Sequence, residues 1–250
     1  MTSTPAEKLE ALRAFANDMR DVTAPELSPL LPTYVLPADG DGSRPLAVTG
    51  GLLAFEYRHE LETAGLWSGW GFLAVVDLDG VDDYLTGTAV LTHEWTHFLE
   101  HLAFTSALIA AAPPETLLQD APPAPEATAE ALGARATMPP WTGHDRRYLR
   151  LLAHVVYRLQ AAGWPGDVDD CFPSRHYLLS RASRYAEHLG TEPAYLADLP
   201  ICRILETRCP SDYTAFAAAD MKHAIRRWHL RDPLSPPVPA ERNVVPCQRF

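Results

Sequence analysis

Residues 83–112 contain no proline and are mostly apolar, and a helix that is apolar nearly all round has to lie inside the protein. Within this run stands Thr92-His93-Glu94-Trp95-Thr96-His97. Each helical residue turns by about 100° and rises by about 1.5 Å, so His93 and His97 lie one above the other on one face. Glu94 falls about 100° around from His93, beside that face rather than on it. Trp95, Phe98, Leu99 and Leu102 cover the remaining sides. Three polar side chains on a buried helix need partners, and two imidazoles stacked in this way can share one metal ion. Hydrogen bonding of the two histidines to core neighbours is the simpler alternative.

The spacing suits a hydrolytic zinc site, in which two histidines hold the ion and the glutamate takes a proton from the water that the metal activates. His93-Glu94-Trp95-Thr96-His97 is an H-E-x-x-H motif and resembles the zincin metallopeptidases. That resemblance implies a small sheet ahead of the motif helix, a Zn2+ cofactor, a peptide or protein substrate, Glu94 as general base and a Tyr, His or Arg donor for the oxyanion. Tyr148 and Tyr185 are the tyrosines considered for the last role.

A catalytic zinc also needs a third protein ligand and an open position. His101 lies eight residues beyond His93, about 12 Å along the axis, too far to reach the same ion while the helix continues. Zincins that break the helix there use a glycine; this chain has Glu100 and His101 instead. His144 is the better candidate. It opens a helical stretch and shares a wheel face with Tyr148, Leu152, Val155 and Leu159, the inward face. The segment Trp141-Thr142-Gly143-His144 resembles the SprT-type branch, where a His-Gly ahead of an aromatic residue supplies the third ligand; here the order is Gly-His and the gap from His97 is longer. Glu187 is the rival, because gluzincins take a glutamate from a later helix, but its wheel position faces outward. His154 groups with Arg147, Arg150 and Arg158 on the polar side of its helix, solvated or ion-paired.

Around this centre the chain of 250 residues reads as an α+β, predominantly helical fold, zincin-like, with a small sheet preceding the buried motif helix. We read it as a single domain over residues 1–250, in five parts. Residues 1–44 hold an N-terminal helix over 5–20, capped by Thr4, and an extended proline-rich segment. Residues 45–112 hold strands over 45–49, 52–59 and 71–77 and the motif helix. Residues 113–142 form a loop rich in Pro, Ala and Glu. Residues 143–230 are helical, with helices over 143–162, 173–189, 193–205 and 211–229, the first two stopped by Gly163 and Gly190. Residues 231–250 form a proline-rich tail.

The net charge of −11 with no long basic run argues against nucleic acid as the main partner. No membrane span and no signal peptide are expected, and Cys171, Cys202, Cys209 and Cys247 show no paired spacing, which points to free thiols and a cytoplasmic setting. Two other classes compete with the peptidase: a metal-stabilised zincin-fold binding or regulatory module, and a helical interaction protein with a chance motif.

Overall fold

Thr4 opens the first helix, α1 (Pro5–Thr23), through a capping box. Its hydroxyl accepts from the Glu7 amide while the Glu7 carboxylate accepts from the Thr4 amide, satisfying two of the helix's orphan donors. The computed structural model describes residues 4–28, 30–38, 47–49, 62–68, 71–111, 144, 146–172 and 182–230, with side chains other than those of 47–49, 103–111 and 221–230. Leu12, Phe15 and Met19 form the buried stripe of α1. Its cations reach over neighbouring segments to cap backbone carbonyls: Lys8 on Leu78 and Val81, Arg13 on Val35, Arg20 on Leu31.

A three-stranded sheet lies beside it. Strand β3 (Phe72–Val76) is central, with β1 (Thr33–Pro37) parallel on one side and β2 (Ala47–Thr49) antiparallel on the other. β1 corrects the expectation of an extended connection there. Pro32 and Pro37 argue against a strand, yet β1 pairs on one side only among the described residues, and an edge strand tolerates proline. The strand expected over 52–59 lies outside the described residues, as do the loop over 113–142 and the tail over 231–250. Alternation along β3 splits two faces: Phe72, Ala74 and Val76 enter the main core, while Leu73 joins Leu36 and Trp67 on the opposite face.

Helix α2 (Tyr84–Ala111) carries the H-E-x-x-H motif. Phe72 meets Trp95 and Phe98 edge to face, at centroid separations of 5.2 and 5.7 Å, which fixes the sheet against α2. Helix α3 (Arg146–Ala161) packs along α2; α4 (Ala182–Leu189), the one-turn α5 (Glu192–Tyr195), a 3-10 segment (Ile201–Glu206) and α6 (Ser211–Leu230) complete the helical part. The helix expected over 193–205 is thus two short pieces, and of the helix expected over 173–189 the described part is α4. α3 and α4 stop where Gly163 and Gly190 take φ of 97° and 58°, left-handed values that glycine adopts without strain. Among the described residues no helix is long and apolar enough to cross a membrane. Cys171, Cys202 and Cys209 are free thiols.

Gly71 sets the entry to the sheet. Its φ is 102°, and a Cβ there would stand 2.4 Å from the Pro32 carbonyl oxygen, the same oxygen that accepts from the Phe72 amide at 3.0 Å. We predict that Gly71→Ala lowers unfolding free energy by about 1–3 kcal/mol through backbone strain, measured by urea denaturation.

Candidate metal centre

The motif helix can stay buried only if its polar groups are satisfied along its length. Thr88, Thr92 and Thr96 do so locally, each hydroxyl donating to the carbonyl four residues back. Trp95 donates its indole N–H to Thr23 of α1 at 2.8 Å. His93 and His97 cannot be satisfied in this local way, and their ring nitrogens converge on a third residue.

That residue is His144. The Nε2 atoms of His93, His97 and His144 form a triangle with sides of 3.2 Å (His93–His97), 3.1 Å (His97–His144) and 3.0 Å (His93–His144). His93 and His144 are buried, each 7% exposed, and His97 is half-buried. Three imidazole nitrogens this close cannot all bond to one another. The His93 Nδ1 atom lies 2.8 Å from the Cys171 carbonyl oxygen, which only accepts, so Nδ1 carries the proton and Nε2 turns a lone pair into the triangle. Burial first, then the imidazoles of His144 and His93, hold the His97 ring well below the usual histidine range, so it is neutral at pH 7. A cation among the three nitrogens would relieve this crowding of lone pairs. Donors on a tetrahedral zinc, each about 2.0–2.1 Å from the ion, stand about 3.3 Å apart, close to the observed sides. The three histidines could hold a metal ion.

His144 sits just ahead of α3 rather than inside it. Its expected wheel partners Tyr148, Leu152, Val155 and Leu159 are all buried, so the inward face was read correctly although the helix starts later than residue 143. Tyr148 stacks on the His97 ring at 4.2 Å between centroids and donates its hydroxyl to the His93 carbonyl. Phe172 presents itself edge-on to His93 and also flanks His144. Glu94 is buried on α2, 4% exposed. Glu187 is exposed on α4, and the described three-residue metal-ligating group is completed by His144 instead. Tyr185 directs its hydroxyl to Asp220, against Tyr213 and Phe216.

No family model, curated protein or solved structure matches this chain. The site therefore has to be read from its own chemistry.

Sequence reading missed Cys171 and Phe172. Phe172 is one aromatic residue among many. Cys171 contributes a backbone carbonyl, for which no residue type is diagnostic. It also placed Arg150, His154 and Arg158 on a polar face of α3, with His154 solvated or ion-paired, whereas all three are buried. His154 is bonded to a carboxylate, but inside the protein and as a neutral imidazole. Glu192 Oε1 accepts from Arg150 Nε at 2.7 Å and from His154 Nε2 at 2.8 Å. Thr207 and the Arg208 carbonyl take the remaining Arg150 donors, and Arg158 caps the carbonyls of Thr23, Leu196 and Leu199. Burial pushes His154 below its ordinary value, although the bond to Glu192 opposes it. Burial would raise the Glu192 carboxyl, but the hydrogen bonds from His154 and Arg150 outweigh it and keep it below the usual range. With Nε2 carrying its proton, the buried His154 Nδ1 has no hydrogen-bond partner. Protonating it would place an unpaired N–H in the interior.

Two predictions follow from these contacts. If the three histidines hold a metal ion, elemental analysis is expected to find one per chain, lost in His97→Ala and in His144→Ala, and at a hundredfold excess over Kd that ion is expected to stabilise the wild type by about 3 kcal/mol. In chelator, stability will be greatest above about pH 6.5 and fall as the pH drops through that value. The sign follows because His97 and His154 have depressed native values, so the unfolded chain takes up protons first. Glu192, also depressed, adds a further loss below about pH 4.5. Urea titrations from pH 4 to 8 measure both.

Proposed function

We propose that this chain is a zinc-dependent metallopeptidase of the zincin type, with His93, His97 and His144 as ligands and Glu94 as general base. The convergence of three imidazole nitrogens beside a buried glutamate carries the reading. A zinc ion held there would polarise a substrate carbonyl and bring the pKa of a coordinated water towards neutrality. Glu94 would accept the proton of the attacking water as its oxygen bonds to the carbonyl carbon, and would deliver it to the amine nitrogen as the C–N bond breaks. Its place one residue from His93 keeps it off the line of ligands yet on the same turn of α2. His93 keeps the tautomer that can ligate because its other nitrogen is engaged by the Cys171 carbonyl. Tyr148 and Phe172 wall the imidazoles with aromatic surface, and exclusion of water strengthens the electrostatic interactions inside. The substrate on this reading is a peptide or protein.

The burial of His93 and His144 favours a second reading, in which the metal is structural and the chain is a binding module. Structural zinc sites are closed, whereas catalytic ones keep a position open. The two readings part on one experiment. Wild-type protein loaded with zinc is incubated with a mixture of peptides spanning many sequences, and cleavage is followed by mass spectrometry beside Glu94→Gln. The peptidase reading expects cleavage by the wild type and a loss of about 10²–10⁴-fold in Glu94→Gln, with zinc retained. Full activity in Glu94→Gln would overturn it, and zinc binding with no cleavage by either protein would establish the structural role.

A further inference from the structure

The segment between α3 and the start of α4 carries no part of the motif, yet it returns to α2 twice. Trp164, next to the glycine that ends α3, is buried and donates its indole N–H to the Thr88 hydroxyl of α2 at 3.0 Å. Gly166 lies flush on the Trp164 ring, where a Cβ would stand 2.4 Å from the indole carbons. Its carbonyl accepts from the Gln160 side chain. Five residues after Gly166 the chain meets α2 again, where the Cys171 carbonyl accepts from His93 Nδ1 at 2.8 Å.

Between these two anchors the chain is folded by a reciprocal turn. The Asp167 carboxylate accepts from the amides of Asp169 and Asp170 at 2.8 and 3.0 Å. The Asp170 carboxylate accepts in return from the Asp167 amide at 2.9 Å. The Phe172 amide then bonds to the Asp169 carbonyl at 3.1 Å. Aspartate suits this task because its short side chain bonds to amides a few residues on. The acceptor for His93 is a backbone atom, so its position follows the conformation of the turn.

We propose that Asp167 is a positioning residue for the metal centre: the turn it closes holds the Cys171 carbonyl against His93, fixing the tautomer and the ring direction with which His93 ligates. The inference rests on the reading of the three histidines as a metal site. A group that bonds a metal ligand directly is worth about 10–100-fold in metal affinity; here that group is the Cys171 carbonyl, and Asp167 acts through it. The carboxylate acts through its acceptor oxygen rather than its charge, because Oδ1 takes both amides. Asparagine offers the same oxygen without the charge.

The test uses the full chain and measures zinc affinity by competition with a chromophoric chelator, together with the visible absorption of the Co2+-substituted protein. Asp167→Ala is expected to bind zinc more weakly, by up to about 10-fold, the lower end of the effect of losing a direct partner, and to alter the Co2+ bands, which report the ligand geometry. Asp167→Asn is expected to match the wild type in both. Wild-type affinity and spectrum in Asp167→Ala would overturn the proposal. Equal losses in the Ala and Asn variants would overturn it too, since they would assign the effect to charge. Should Asp167→Ala fail to fold, Asp170→Ala removes the returning bond alone; weakened zinc binding supports the proposal and unchanged binding overturns it. A wild type that takes up no zinc would remove the metal reading itself, a result distinct from wild-type binding that the variants do not disturb.

Discussion

The stretch of helix α2 from Gly87 to Leu99 is buried apart from the half-buried Val90 and His97, and the polar groups buried there have to find partners within the protein. Water offers about the same hydrogen bonds in the unfolded chain, so a buried polar group left alone would cost about 1–3 kcal/mol. The threonines meet the demand by bonding back along the helix, and Trp95 meets it through Thr23 of α1. His93 and His97 are different. Their nitrogens face one another and His144, an arrangement that could hold a metal ion. Much of the surrounding architecture can be read as the scaffold of that convergence: α1 and the sheet cover one part of α2, and α3 with its following segment covers another.

The two buried polar centres of α3 solve the same problem in different ways. At its start, His144 and Tyr148 turn towards α2 and complete the group of imidazoles. Further along, Arg150 and His154 share one oxygen of Glu192, while Thr207 takes the outer Arg150 donors. A buried ion pair of this kind is weak grounds for stability, because desolvation offsets much of the attraction. Its geometry nonetheless ties α3 to α5 and to the segment after the 3-10 turn, and so holds the helix whose N-terminal end presents His144. Arg158 adds a third tie, from α3 to the carbonyl that ends α1.

Legibility in the sequence followed the range of the interaction. The capping box at Thr4, the stripe of Leu12, Phe15 and Met19, and the stops at Gly163 and Gly190 are local signals, and each stands where local rules put it. β1 went unread because Pro32 and Pro37 argue locally against a strand, while its pairing with β3 is made by residues distant in the chain. Arg150, His154 and Arg158 read as a polar face because a helical wheel shows polarity alone; Glu192 and Thr207 for the first two, and backbone carbonyls for Arg158, are supplied from elsewhere in the chain and allow that face to be interior.

The sequence by itself determined that His93, Glu94 and His97 share adjacent faces of a buried helix, since the 3.6-residue repeat and the apolar surroundings leave little choice. It also narrowed the third ligand to His144, by the inward wheel face it shares with Tyr148 and Leu152, with Glu187 as the rival. Tertiary structure alone decided that His144 arrives within 3.1 Å of His97 across 47 residues of chain. It alone placed the Cys171 carbonyl on His93. A backbone oxygen has no letter in the sequence, and a contact between distant segments depends on how α2 and α3 pack, which no local repeat encodes.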